Sequence, residues 1–95
     1  MYILRVEFDV PDFAEWKKAF DSDPAGRQKS GVSQYRIMRT ADNANHVMVD
    51  FDFENSGQAE AFSASLRKVW EDVGAKVVNN PESRIVEAVE VKNLK

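Results

Sequence analysis

The sequence predicts a ferredoxin-like α+β domain of βαββαβ order, on three observations. Three segments alternate apolar and polar residues with the period of two that a half-buried strand requires, and a fourth is rich in β-branched residues. Two segments repeat apolar residues at helical spacing. The breaks between them hold Pro, Gly, Asn and Asp, which turns select for their backbone geometry.

The first strand is the clearest element. Tyr2, Leu4, Val6, Phe8 and Val10 share one face, with Ile3, Arg5, Glu7 and Asp9 on the other. Pro11-Asp12 ends it, and Asp12 with Glu15 three residues on has the form of a capping box. Phe13, Trp16 and Phe20 then form the apolar stripe of a helix ending near Phe20 or Asp21. Asp23-Pro24 can cap a further short turn that Gly31 closes in the left-handed conformation.

A hairpin follows, with strands Val32–Arg39 and His46–Phe53 about a turn at Asp42-Asn43-Ala44-Asn45. Ser33, Tyr35 and Ile37 share a face with Val47, Val49, Phe51 and Phe53; Gln34, Arg36 and Met38 share the other with His46, Met48, Asp50 and Asp52. The expected register sets Met38 opposite His46, Arg36 opposite Met48 and Gln34 opposite Asp50. Asn55 or Ser56 caps a second helix whose apolar positions are Ala59, Phe62, Leu66, Val69, Trp70 and Val73, with Gly74 at its end. Asn79-Asn80-Pro81 reads as a turn and Arg84–Val91 as the last strand, of ambiguous facing. Right-handed crossovers leave few ways to connect these elements. The split βαβ arrangement gives a four-stranded antiparallel sheet of order 4-1-3-2 with both helices on one face. The expectation is one domain spanning residues 1–95, with Trp16, Phe20, Phe62, Leu66 and Trp70 packed on Leu4, Val6, Phe8, Val47, Val49 and Phe51.

Composition narrows the function. The 95 residues are 43% hydrophobic and 31% charged, with a formal net charge of −3. The acidic excess lies in the second half, so neither half presents a cationic patch for nucleic acid or an anionic membrane surface. The absence of cysteine removes disulfides, thiolate nucleophiles and Cys-ligated metals together. No apolar run approaches the roughly 20 residues of a membrane span. The charged opening MYILRVEFDV does not read as a signal peptide, so a cytoplasmic location is expected.

The sheet face away from the helices is unusual for a solvated surface. It mixes Ile3, Met38, Met48, Val86 and Ala88 with Arg5, Glu7, Arg36, His46 and Asp50. A second copy covering it, with charges paired inside, accounts for that mixture. Ile3, Arg5, Glu7, Asp50 and Val86 are the expected contacts of this homodimer, with Arg5 and Asp50 ion-paired.

The segments VEFDVPDFAEWKKAFDSDPAG, GVSQYRIMR, DNANHVMVDFDF and EAFSASLRKVW resemble the dimeric α/β-barrel superfamily, and within it the small bacterial proteins grouped around antibiotic-biosynthesis monooxygenases. The resemblance covers nearly the whole chain as a pattern of elements, without a catalytic signature. It implies two sheets packed face to face across a two-fold axis and a small cavity in each subunit. Members include cofactor-free monooxygenases, haem-degrading enzymes, lactone isomerases and polyketide cyclases, and fold alone does not choose among them. Haem-degrading members carry an Asn on the first strand and a His on the second helix. Here the first strand offers Arg5 and Glu7, and the single histidine is on a strand.

The candidate chemistry is sparse. His46 has the side chain suited to proton transfer near neutrality, and Arg36 offers a guanidinium fork to a carboxylate or enolate oxygen. In the expected register the two are diagonal neighbours, a base and an oxyanion partner for an aromatic or lactone ligand. Tyr35, Met38, Met48, Phe62 and Trp70 are the candidate ligand contacts. No three metal-ligating side chains converge in the pattern, no Gly-rich phosphate loop is present, and no cofactor is expected. A ligand-binding dimer without chemistry and a purely structural association module are the alternatives to an enzyme.

Overall fold

The computed structural model describes residues 1–73 and 77–95. Its elements run β1 (Tyr2–Asp9), α1 (Phe13–Asp21), β2 (Gln34–Thr40), β3 (Asn43–Phe53), α2 (Ser56–Val73) and β4 (Asn79–Glu87). They build one antiparallel sheet of order β2-β3-β1-β4, the expected order read from the opposite edge.

Local signals act where the sequence places them. The Asp12 carboxylate accepts the amides of Ala14 and Glu15 at 2.9 and 3.4 Å and starts α1, offsetting the positive end of the helix dipole. Asn55 does the same for α2, accepting the Gln58 amide at 2.8 Å. Gly31 takes φ +90, the left-handed region open to glycine, and a Cβ there would lie 2.6 Å from the Gln58 side-chain nitrogen. Gly74, expected to end α2, and the side chain of Val73 lie outside the described residues.

The core forms where helices meet sheet. Leu4, Val6, Phe8, Val47, Val49, Phe51 and Phe53 are buried against Trp16, Ala59 and Phe62. Phe20, Leu66 and Trp70, expected in the same layer, are only half-buried.

Two expectations are corrected. The hairpin loop is Ala41-Asp42 alone, and Asn43–Asn45 belong to β3. Thr40 Oγ1 closes the turn on the Asn43 carbonyl at 2.9 Å, and a bulge between the Arg39–Val47 and Thr40–Asn43 pairs absorbs the extra residues. Met38 therefore faces Met48, Arg36 faces Asp50 and Gln34 faces Asp52, two residues from the expected register. A slip of two preserves every side chain's face, so patterning cannot distinguish the registers. β4 also starts and ends earlier than Arg84–Val91. Asn79-Asn80-Pro81 is strand: Asn80 takes a left-handed φ of +52 at a bulge, and an edge strand tolerates a proline. The strand stops at Glu87 because its partner there is Tyr2, the first residue of β1. Beyond it Ala88 bonds through its amide to the Met1 carbonyl at 3.0 Å, and Val89 and Val91 are 90% exposed. Ile3 pairs with Val86 and Leu4 with Ile85, which places Val86 on the open face and Ile85 toward the helices.

Candidate functional site

The candidate residues divide between the two faces of the sheet. On the open face, Asp50 is 1% exposed although it stands in the middle of an uncovered surface. Two arginines cover it. Arg5, directly opposite on β1, grips both carboxylate oxygens at 2.8 Å through Nε and a terminal nitrogen, and Arg36 on β2 donates to Oδ2 at 3.2 Å. The expected Arg5–Asp50 pair is therefore present within one chain. Arg5's hydrogen bond holds the Asp50 carboxyl below its ordinary value, and Arg36 adds to this against the opposing effect of burial.

His46 lies further along the same face. Its Nδ1 is 2.7 Å from Asp9 Oδ1, and its Nε2 is 2.6 Å from Glu7 Oε2. An imidazole donates from both nitrogens only when protonated. Asp9 first, then Glu7, raise the His46 pKa above its ordinary value, consistent with an imidazolium clamped between two carboxylates. In that state the ring has no lone pair with which to accept a substrate proton. Its nitrogens point to different carboxylates, and no group of three metal-ligating side chains converges among the described residues. Arg36 does not join it. Arg36 sits opposite Asp50, four residues along β3 from His46, roughly 13 Å at strand rise. Met38 and Met48 pair with one another between these clusters, both partly exposed.

The helix side holds a cavity of about 180 Å³. Its floor is Val6, Phe8, Val49 and Phe51 of the sheet; its walls are Trp16 and Phe20 of α1 and Phe62, Leu66, Val69 and Trp70 of α2. This space explains why Phe20, Leu66 and Trp70 are only half-buried. The aromatic rings meet edge-on and tilted: Phe8 lies 5.4 Å from Trp16 and 6.1 Å from Trp70 between centroids, and Trp16 lies 5.1 Å from Phe20. Of the candidate ligand contacts, Phe62 and Trp70 line this cavity. Tyr35, 42% exposed, packs behind its wall on Phe20 at 5.2 Å.

One side of the cavity is a loop that sequence reasoning treated only as a turn. Ser22, Asp23, Pro24, Ala25 and Arg27 all line it, and Ser22, Asp23 and Arg27 are the polar side chains among its described lining. The Asp23-Pro24 signal correctly marked a cap, since the Asp23 carboxylate accepts the Arg27 amide at 2.8 Å. That Arg27 would face a cavity follows from no local pattern.

No protein-family model and no curated protein sequence matches the chain. Solved structures do. The cofactor-independent oxygenase SnoaB from Streptomyces nogalater superposes with a TM-score of 0.73 at 14% identity, over 95% of this chain and 94% of that one. The fold is that of the antibiotic-biosynthesis-monooxygenase-like proteins. A protein described as an antibiotic biosynthesis monooxygenase has a TM-score of 0.59 at 7% identity, over 95% of this chain and all of the other. A dimeric ferredoxin-like protein from an uncultured marine organism has a TM-score of 0.65 at 10% identity, covering 98% of this chain and 99% of its own. This antibiotic-biosynthesis-monooxygenase-like fold is the expected one. Among the described residues no helix is long and apolar enough to cross a membrane.

Proposed function

We propose that this chain is a homodimeric small-molecule-binding protein whose site is the helix-side cavity, and that its ligand is a compact aromatic molecule. The observation that carries the reading is the cavity itself, about 180 Å³ walled by Trp16, Phe20, Phe62 and Trp70. An apolar cavity of about 150 Å³ admits benzene, so this one suits a single substituted ring. Leu66→Trp would place an indole in that space. Indole and p-cresol should raise the thermal midpoint of the parent and quench its tryptophan fluorescence, and should do neither in a folded Leu66→Trp variant. Equal binding by both proteins would place the site elsewhere.

The homodimer reading rests on the open face. Ile3, Met38, Met48 and Val86 are the apolar groups available for burial, around arginine–carboxylate pairs that are already satisfied. Light scattering after size exclusion should give twice the 10.8 kDa chain mass; a monomer at tens of micromolar would refute the dimer.

Cofactor-independent oxygenation of the bound ligand is the finer reading, supported by the structural likeness to SnoaB. It does not use His46 and Arg36 as base and oxyanion partner, since both project from the opposite face of the sheet and both ring nitrogens of His46 are already engaged by Glu7 and Asp9. Dioxygen uptake with a bound phenol, and none after Leu66→Trp, would support it. Binding without uptake leaves a ligand-binding dimer.

A further inference from the structure

The loop beside the cavity carries a cation whose bonding is incomplete. The Arg27 side chain is 17% exposed, and its guanidinium carbon lies 4.0 Å from the Phe20 ring centroid and 4.9 Å from that of Tyr35. One terminal nitrogen donates to the Phe20 carbonyl at 2.7 Å. The neighbouring carboxylate, Asp23, approaches Nε only to 3.5 Å, beyond ordinary hydrogen-bond length. Arg5 makes the contrast clear: its fork is closed on Asp50 by two bonds of 2.8 Å. A guanidinium has five N–H donors, so Arg27 keeps most of its donors uncommitted among the described residues although its side chain is largely buried.

The loop also holds this arginine in place. Asp23 adopts a left-handed φ of +55, which is uncommon outside glycine, and Gly26 a φ of +68. The Gly26 amide bonds the Asp23 carbonyl at 3.1 Å, the Arg27 amide bonds the Asp23 carboxylate, and Phe20 and Tyr35 stack on the guanidinium. The fork is therefore preorganised beside an aromatic cavity whose other polar lining, among the described residues, is Ser22 and Asp23. Phe20 touches both, since it lines the cavity and stacks under Arg27.

We propose that the ligand is a single-ring aromatic anion, its ring in the cavity and its carboxylate held by Arg27. This rests on the cavity being the ligand site. A planar two-oxygen acceptor matches the guanidinium fork, which an alcohol or amide matches poorly. Asp23 is the competing group: its carboxylate repels an incoming anion and weakly neutralises Arg27, so it limits affinity.

Benzoate and benzamide separate the two readings, because they share ring and shape and differ in charge at neutral pH. Calorimetric titration of the parent should show benzoate about tenfold tighter than benzamide, as expected for one charge-assisted contact. Arg27→Gln should bind benzamide like the parent and lose the preference for benzoate, whereas Arg27→Lys keeps part of it. Asp23→Asn preserves the acceptor for the Arg27 amide and should bind benzoate more tightly. Benzamide binding as tightly as benzoate in the parent would overturn the anion assignment and leave the cavity as the ligand site. An Arg27→Gln variant that retains the full preference would overturn the role of Arg27. Failure of both compounds to bind would overturn this assignment and the cavity reading together.

Discussion

Replacing Asp50 by Asn tests the one carboxylate buried on the open face among the described residues. Asp50 accepts three hydrogen bonds from two arginines, at 2.8, 2.8 and 3.2 Å. A hydrogen bond to a charged group contributes roughly 1.5–3 kcal/mol when buried. Arg5 and Arg36 are 48% and 55% exposed, so solvent screens them, and Asn keeps one acceptor oxygen. It also turns an NH2 toward a guanidinium, which no rotation of the amide avoids for both oxygens' partners. The expected loss is about 2 kcal/mol at neutral pH, or about 10 °C in thermal midpoint for a domain of this size. Urea unfolding of parent and variant at about pH 7 and about pH 3 measures it. The folded pKa of Asp50 is depressed, so its contribution is complete above the ordinary carboxyl value of 3.8 and falls away as pH drops toward the lower folded value. The difference between parent and variant should therefore narrow in acid. Paired with Arg5→Met, the double variant should lose less than the sum of the singles. An Asp50→Asn protein as stable as the parent at neutral pH would refute the reasoning, as would a loss of equal size in acid.

His46 should titrate above 6.5 by NMR, and Asp9→Asn should lower its pKa more than Glu7→Gln, because Asp9 is the stronger influence. Its folded pKa is raised, so the stabilisation is complete below 6.5 and is lost as pH rises through the folded value; an unchanged pKa in both variants would refute the clamp. Gly31→Ala should destabilise by about 1–2 kcal/mol in urea unfolding, through its left-handed φ. Adding Gln58→Ala removes the clash partner without restoring the loss; full rescue would show that crowding matters and not the backbone. Phe62→Ala, at a ring 4.9 Å from Phe51 and 1% exposed, should cost about 3–5 kcal/mol by the same assay.

Local chemistry made much of the fold legible in the sequence. Alternation in Tyr2–Asp9 and in Val47–Phe53 identifies strands and the face each residue occupies. Asp12 and Asn55 announce helix starts, and Gly31 a left-handed turn. The Arg5–Asp50 pair was also legible, because β1 and β3 are adjacent in the sheet order and both residues face outward. In each case the information lies within a few residues or in the parity of a strand.

Long-range fit decided the rest. Strand parity repeats every two residues, so it could not choose between Arg36 opposite Met48 and Arg36 opposite Asp50; the two-residue Ala41-Asp42 loop and its bulge did. That choice closed a second arginine on Asp50 and separated Arg36 from His46. Val89 and Val91 carry strand propensity, yet β4 ends at Glu87, opposite Tyr2 where β1 begins, and both valines are 90% exposed. The cavity is a volume left between two helices and a sheet, and Arg27 reaches it from a loop whose sequence shows only turn chemistry. Periodicity specifies which side of an element meets the core, but the space between elements depends on how all of their side chains fill it together.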